Sequence, residues 1–535
     1  MSGHVFVVGA DLVRLSCDDV LVPTDRSLRV APGWCPLLPA SLVSGVVDDG
    51  ACVDLRWSGD ERVLQVPGDG ERQVWLVDTV DGRGRDEEQH LEWLLDGARA
   101  ALAAVARREV PRPAHGRARR LVGLPALGTG WGGAAGRRGA LLQRLLPVLR
   151  DAALQHGFDV ALVLRGPSDL AAAQRVRRGE EGSWDLPPQL CALARQLGDR
   201  ARRGQLAVFV GAGVSAAAGL PTWERLVDEL ADASGLAAGL RDGLSALPPQ
   251  DAAALLAREL GRERLESFVA ERFGPGSYAL AHALIADLPV QEFVTTNYDP
   301  LVEQAAGDIG RDVRVLPFQE AAPGSPWLLK LHGDAAHPES VVLTREEYLQ
   351  FGDTRAALAG VLHSLLLTRH VLFVGTSMLD DDLVRIAHQV RSAVQAPGSA
   401  GGRRNGTVLA LREDPARARL WERDVETVAM GPADLRAAEA ARRLEVLLDL
   451  IGCLSTPPTG YLLDPAYRGL LDEEECALAD ALTRAAAAVR EDSASAAAQE
   501  VAALLRRLGS GSSAARPADG STEVEDDRVQ EQRPG

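Results

Sequence analysis

Residues 206–223 read LAVFVGAGVSAAAGLPTW. The apolar run Leu206 to Val210 fits a strand buried on both faces, as in a parallel sheet covered by helices. Gly211-Ala212-Gly213 follows at once, then Val214, Ser215 and Ala216. A strand entering G-x-G-x-x-A is the turn that opens a nucleotide-binding helix. Its bare backbone can approach a pyrophosphate closely, and the helix start presents free N–H groups. In a chain with 53 glycines such a match arises easily by chance, so the stretch alone assigns no function.

Three further strands repeat the theme. EFV runs into Thr295-Thr296-Asn297-Tyr298-Asp299, WLLKL into His332-Gly333-Asp334, and HVLFV into Gly375-Thr376-Ser377, with Asp380 and Asp382 just beyond. Four apolar strands therefore each end in a small or polar cluster. In an open parallel α/β sheet the carboxyl edge is where ligands bind. Solvated turns explain one such cluster, but not readily four in succession.

In this order GAGVSAAAGLPTW, TTNYD, LHGD and VGTSMLDDDL resemble the NAD-binding core of sirtuin-like proteins. The likeness is strongest to the bacterial branch that acts as NAD hydrolases in antiphage defence. It covers roughly residues 190–450 and implies a Rossmann-like parallel sheet with a helical insertion after Trp223. It also implies catalytic roles for Asn297 and His332. NAD, the substrate, would lie against Gly211, Ala212, Gly213, Ser215, Thr296, Asp299, Gly375, Ser377 and Asp380.

The residue types suit that chemistry. Nicotinamide leaves NAD as a neutral group from a cationic one, so the barrier is an oxocarbenium-like centre and its capture from the other face. Asn297 can orient ribose hydroxyls or water without adding charge, and His332 can take a proton near neutral pH. Asp299 can hold a ribose hydroxyl. Asp380 and Asp382 could equally cap the helix expected to begin near Leu383. Trp223 reads as a packing residue, and His337, His363, His370 and His388 as structural or surface positions.

Deacylating sirtuins carry zinc on two C-x-x-C pairs, and GLPTW stands where they have a sequence ending in Asp-Phe-Arg. Here the six cysteines are scattered without any such pair, so no zinc is expected. Without a peptide cleft, water is the expected acceptor. Two alternatives stay open: a deacylase or ADP-ribosyltransferase using the same NAD, and a non-catalytic nucleotide sensor.

The N-terminal sequence is also α/β. VVGADLVRLSCDDVLVPTD and RLVGLPALGTGWGGAAGRRGALL resemble the opening and the phosphate loop of macro domains. Gly128, Thr129, Gly130, Gly132 and Gly133 could form an anion-binding nest there, making a nucleotide ligand a second expected partner. Pro23-Thr24-Asp25 replaces an Asn-containing loop, which argues against hydrolysis of ADP-ribose in this half.

The expected organisation is a macro-like α/β domain over 1–165, a linker over 166–188 and a sirtuin-like domain over 189–454. A helical segment over 455–509 and a disordered tail over 510–535 follow. The net charge of -17 disfavours direct nucleic-acid binding, and no apolar run is long enough to span a bilayer. Scattered cysteines and the absence of a signal-peptide pattern read as cytoplasmic. Family behaviour implies a homo-oligomer, and because unrestrained NAD hydrolysis would deplete the cell, the activity is expected to be gated.

Overall fold

The computed structural model describes residues 2–39, 57–66, 72–80, 86–109, 112–130, 132–178, 184–354, 356–376, 404–487 and 495–510. Among them, strands fall into two sheets. The first holds β1 (Val5–Gly9), β2 (Asp19–Thr24), β3 (Val63–Gln65), β4 (Gln73–Asp78), β5 (Leu121–Pro125) and β6 (Asp159–Leu164), in the order β1-β6-β5-β2-β4-β3. Only β3 runs antiparallel to its neighbour.

The second sheet holds β7 (Leu206–Val210), β8 (Glu292–Thr295), β9 (Arg314–Leu316), β10 (Trp327–Lys330), β11 (His370–Val374), β12 (Gly406–Ala410) and β13 (Glu426–Ala429). Its order is β13-β12-β11-β7-β8-β10-β9, with every pairing parallel. The order reverses on either side of β7, so the crevice at its carboxyl end is the switch point of a doubly wound sheet. This is the Rossmann-like arrangement the sequence implied.

The sheets share a layer of helices. Phe6, Val8, Val20 and Leu76 of the first sheet belong to one apolar core with Val208, Val210, Phe293 and Leu372 of the second. Between them lie the helices Pro188–Arg202, Leu280–Asp287 and Ala437–Ser455, which contribute Leu193, Leu197, Leu284 and Leu447. The opposite face of the first sheet packs on Glu87–Arg107 and Arg138–His156. The outer face of the second packs on Ala356–Thr368. Each fully buried leucine here is worth about 1.5–3 kcal/mol of transfer free energy.

Two sequence expectations change. The stretch read as a linker contains a helix, Pro167–Arg178, that buries Ala171, Ala172 and Ala173 against the first sheet's outer core. Alanine methyls pack closely but give a weak apolar signal beside three arginines and an aspartate. The halves are also not independently packed, because the shared helical layer serves both sheets. Helices Trp223–Ser234, Ala238–Leu244, Pro249–Leu260 and Arg262–Arg272 form the expected insertion and its satellite core. The C-terminal helices are Glu473–Ala487 and Ala496–Arg507. The rest of the tail lies outside the described residues.

Candidate active site

Strand register assembles the site. Val374 of β11 pairs with Val210 of β7, Val210 with Thr295 of β8, and Thr295 with Lys330 of β10. The four strands thus end level with one another. Gly375, Gly211, Thr296 and Leu331 each stand one residue past that line, and Asn297 and His332 two residues past it on adjacent strands. At about 4.8 Å per strand spacing, the row from β11 to β10 spans roughly 14 Å.

The glycines serve this convergence first. Gly211 donates its N–H to Val374 O and Gly213 to Gly375 O, each at 2.8 Å. A Cβ on Gly213 would meet Gly375 O at 2.8 Å. Gly375 has φ +70, and a Cβ there would come within 2.7 Å of Val214 N. The two loops interlock through bare backbone, leaving Ala212 and Gly213 exposed at the rim. The helix that follows is only Ala212–Ala216, so its dipole adds little. Backbone approach, rather than a long helix start, is what the turn provides.

A buried hydrogen-bond chain fixes the amide. Asn297 Nδ2 donates to Ser215 Oγ at 2.9 Å, and Ser215 Oγ donates to Asp299 Oδ2 at 2.8 Å. All three side chains are buried. Thr296, just before Asn297 in the chain, is half-buried. Asn297 Oδ1 is buried and makes no hydrogen bond among the described residues. That leaves an oriented acceptor, which suits a ribose hydroxyl or an attacking water. Behind Ser215 lies His282, whose Nε2 is 3.4 Å from Ser215 Oγ and whose pKa burial lowers to about 4. This neutral histidine backs the Ser215–Asp299 pair, but nothing distinguished it in a helical stretch of sequence.

His332 is buried, with its ring edge-on to Tyr348 and its Nδ1 3.4 Å from the Tyr348 hydroxyl. The chain's single lysine, Lys330, is wholly buried just before it. Lys330 Nζ donates to the carbonyls of Asp299 at 2.9 Å and Tyr298 at 3.2 Å, and it forms ion pairs with Glu303 and Asp334. Burial opposes its charge, yet Glu303 and Asp334 hold its pKa above the ordinary lysine value. Burial also pushes the Glu303 carboxyl up to about 7 against the pull of Lys330. One ammonium therefore ties the Asn297 loop to the strand that delivers His332.

Beside the glycine turn opens a cavity of about 680 Å³, bounded by Gly213, Gly375 and Thr376, by Arg412 beyond β12, and by Leu444 and Glu445. Its size suits a nucleotide moiety. A larger cleft of about 1330 Å³ reaches Asp287 and Pro289, which precede β8, and so lies at the amino edge of the second sheet. The smaller cavity is the one that borders the glycine turn. Ser377, Asp380 and Asp382 lie outside the described residues.

In the first sheet, two N–H groups of the loop proposed as a nest are taken up within the loop itself. Thr129 and Gly133 donate their N–H groups to Ala126 O and Gly130 O, and His90 contacts Gly132 O. The Asp11 carboxylate pairs with Arg165, while its backbone N–H donates to the Tyr278 hydroxyl from the other half of the chain.

Residues 291–429 match the family of SIR2-like domains. This part of the chain is similar to SIR2-like domains. An NAD(+) hydrolase ThsA of Cytobacillus dafuensis is 32% identical over 191 residues, covering 35% of this chain and 38% of that protein. The protein of the same name from Enterococcus faecium is 30% identical over 208 residues, covering 37% of this chain and 42% of its own. Defense-associated sirtuin 2 of Bacillus subtilis is 26% identical over 208 residues, covering 37% of this chain and 20% of its own length. The matches therefore span less than half of each relative. Among the described residues, no cluster of three or more His, Cys, Asp or Glu suits a metal, and no helix is long and apolar enough to cross a membrane.

Proposed function

We propose that this chain is an NAD glycohydrolase, releasing nicotinamide and ADP-ribose from NAD within a gated antiphage response. One observation carries the reading: the aligned strand ends place an oriented, unsatisfied amide oxygen and a buried histidine on neighbouring loops beside a glycine-lined cavity. The names of the relatives support the substrate and the defence context.

Cleavage breaks the bond between ribose C1′ and the pyridinium nitrogen, whose electron pair leaves with nicotinamide, so no acid is needed. Asn297 Oδ1 accepts a hydrogen bond from a ribose hydroxyl or the incoming water, held in place by Ser215 and Asp299. Water adds to C1′, and His332 takes its proton before returning it to solvent. Burial of both groups keeps bulk water from competing for those hydrogen bonds.

Further parts of the reading are a cytoplasmic homo-oligomer and a macro-like N-terminal half, which the mixed six-stranded sheet supports. A nucleotide ligand on that half belongs to the same proposal. The test is incubation of the full chain with NAD, alone and with phage-infected cell extract, followed by chromatography. Equal release of nicotinamide and ADP-ribose, lost in folded Asn297→Ala and His332→Ala, is expected. Nicotinamide release only with an acylated peptide, ADP-ribose retained on protein, or binding without turnover would each replace the reading.

A further inference from the structure

The helix Ala437–Ser455 touches both the nucleotide cavity and the N-terminal half. Ala441, Leu444 and Glu445 line the cavity beside Gly213 and Gly375. On the same helix, Arg442, Glu445 and Asp449 form a buried charged stripe, each meeting a partner from the first half. Arg442 pairs with Asp159 in a two-pronged contact, Asp449 with Arg177 and His4, and Glu445 with Arg117.

The Arg117–Glu445 pair differs from the other two because Glu445 also lines the cavity, with Arg117 behind it. Arg117 Nη1 and Nη2 donate to the two Glu445 oxygens at 2.8 and 2.9 Å, the fork geometry that a guanidinium makes with a carboxylate. Asp159 also lies 4.0 Å from Arg117, but Arg442 already neutralises it. Burial pushes the Glu445 carboxyl up, while Arg117 draws it back down. Elsewhere on the wall, Arg412 and Arg417 balance Glu413 and Asp414. The charge of Glu445 therefore depends on Arg117.

We propose that Arg117, supplied by the N-terminal half, is a positioning residue for dinucleotide binding: it neutralises Glu445 so that the cavity accepts phosphates. The inference rests on reading this cavity as part of an NAD site. It gives the N-terminal half a lever on that site that bypasses Asn297 and His332. A shift between the halves that withdrew Arg117 would leave a buried carboxylate facing the ligand's phosphates and expel it.

The test is calorimetric binding to the full chain carrying His332→Ala, so that NAD is not consumed. Adding Arg117→Met should weaken NAD about tenfold or more, the scale of one uncompensated charge near a buried anion. Adenosine, which has no phosphate, should lose less than about twofold. Adding Glu445→Gln to Arg117→Met should bring NAD back to within about threefold of the starting affinity. Glu445→Gln without the Arg117 change should tighten NAD, a result readable even where Arg117→Met does not fold. Equal losses for adenosine and NAD, a double variant as weak as Arg117→Met, or a folded Glu445→Gln that binds NAD no tighter would overturn the proposal. Absence of NAD binding in both the wild type and His332→Ala, by contrast, would remove the NAD reading itself.

Discussion

Asn297 is held by Ser215: the amide of one loop donates to a hydroxyl on the glycine turn 82 residues earlier in the chain but at the end of the adjacent strand of the sheet. Ser215→Ala would leave Asn297 Nδ2 and Asp299 Oδ2 without their shared partner. NAD turnover should fall about 100-fold through kcat, the scale of an angstrom-level misplacement, with a smaller change in KM. Stability should drop about 1–3 kcal/mol for the buried groups left unsatisfied. Steady-state kinetics with a parallel thermal melt would decide; unchanged kcat would mean that Ser215 does not orient the amide.

Lys330 is the charge on which the Asn297 loop hangs. Lys330→Met keeps the volume but strands Glu303 and Asp334 in the interior and frees two carbonyls. Breaking a buried ion pair from one side typically costs about 3–5 kcal/mol. Denaturant unfolding should show a loss of that size, partly recovered by adding Glu303→Gln. A loss below about 1 kcal/mol would show the pair to be energetically idle.

The candidate site edge was legible because each of these parallel strands carries its small or polar cluster immediately beyond its apolar run. Gly211, Asn297, His332 and Gly375 needed only that rule to be placed together. His282 and Tyr348 were not legible, since they reach the site from helices whose own pattern is ordinary. Nor was the bridging helix. Arg442, Glu445 and Asp449 look like a solvated face, yet each is buried by a partner more than 250 residues earlier. The linker expectation failed at Ala171 to Ala173 for the related reason that short side chains can form a core contact with little hydrophobic signal.

Because one helical layer covers both sheets, the chain should unfold as a unit. Calorimetry of the full chain is expected to show one cooperative transition linking both sheets. Residues 1–178 expressed alone would expose the inner face of the first sheet, including Phe6, Val8 and Val20. That fragment should aggregate or bind a hydrophobic dye. Two separate transitions, or a soluble monomeric fragment with a sharp melt, would contradict a shared core.

Asp287 gives stability a pH dependence of known sign. Its Oδ2 accepts the N–H of Gly9 across the two halves, while Oδ1 is buried without a hydrogen bond among the described residues. Burial pushes its pKa up to about 8; the Gly9 N–H and Arg311 pull downward, and Asp449 adds to the rise. In the unfolded chain the carboxyl titrates near its ordinary value of 3.8. Between these values the folded state holds the extra proton, so its contribution to stability declines as pH rises through the window and levels off above about 8. Asp287→Asn removes that dependence while keeping an oxygen for Gly9. Relative to wild type, the variant should melt at a similar temperature near about pH 5 and several degrees higher near about pH 8.5. Glu303 titrates in the same range, so the difference between the two proteins is the quantity to follow. A gap that stays constant across the window would show that Asp287 is ionised throughout.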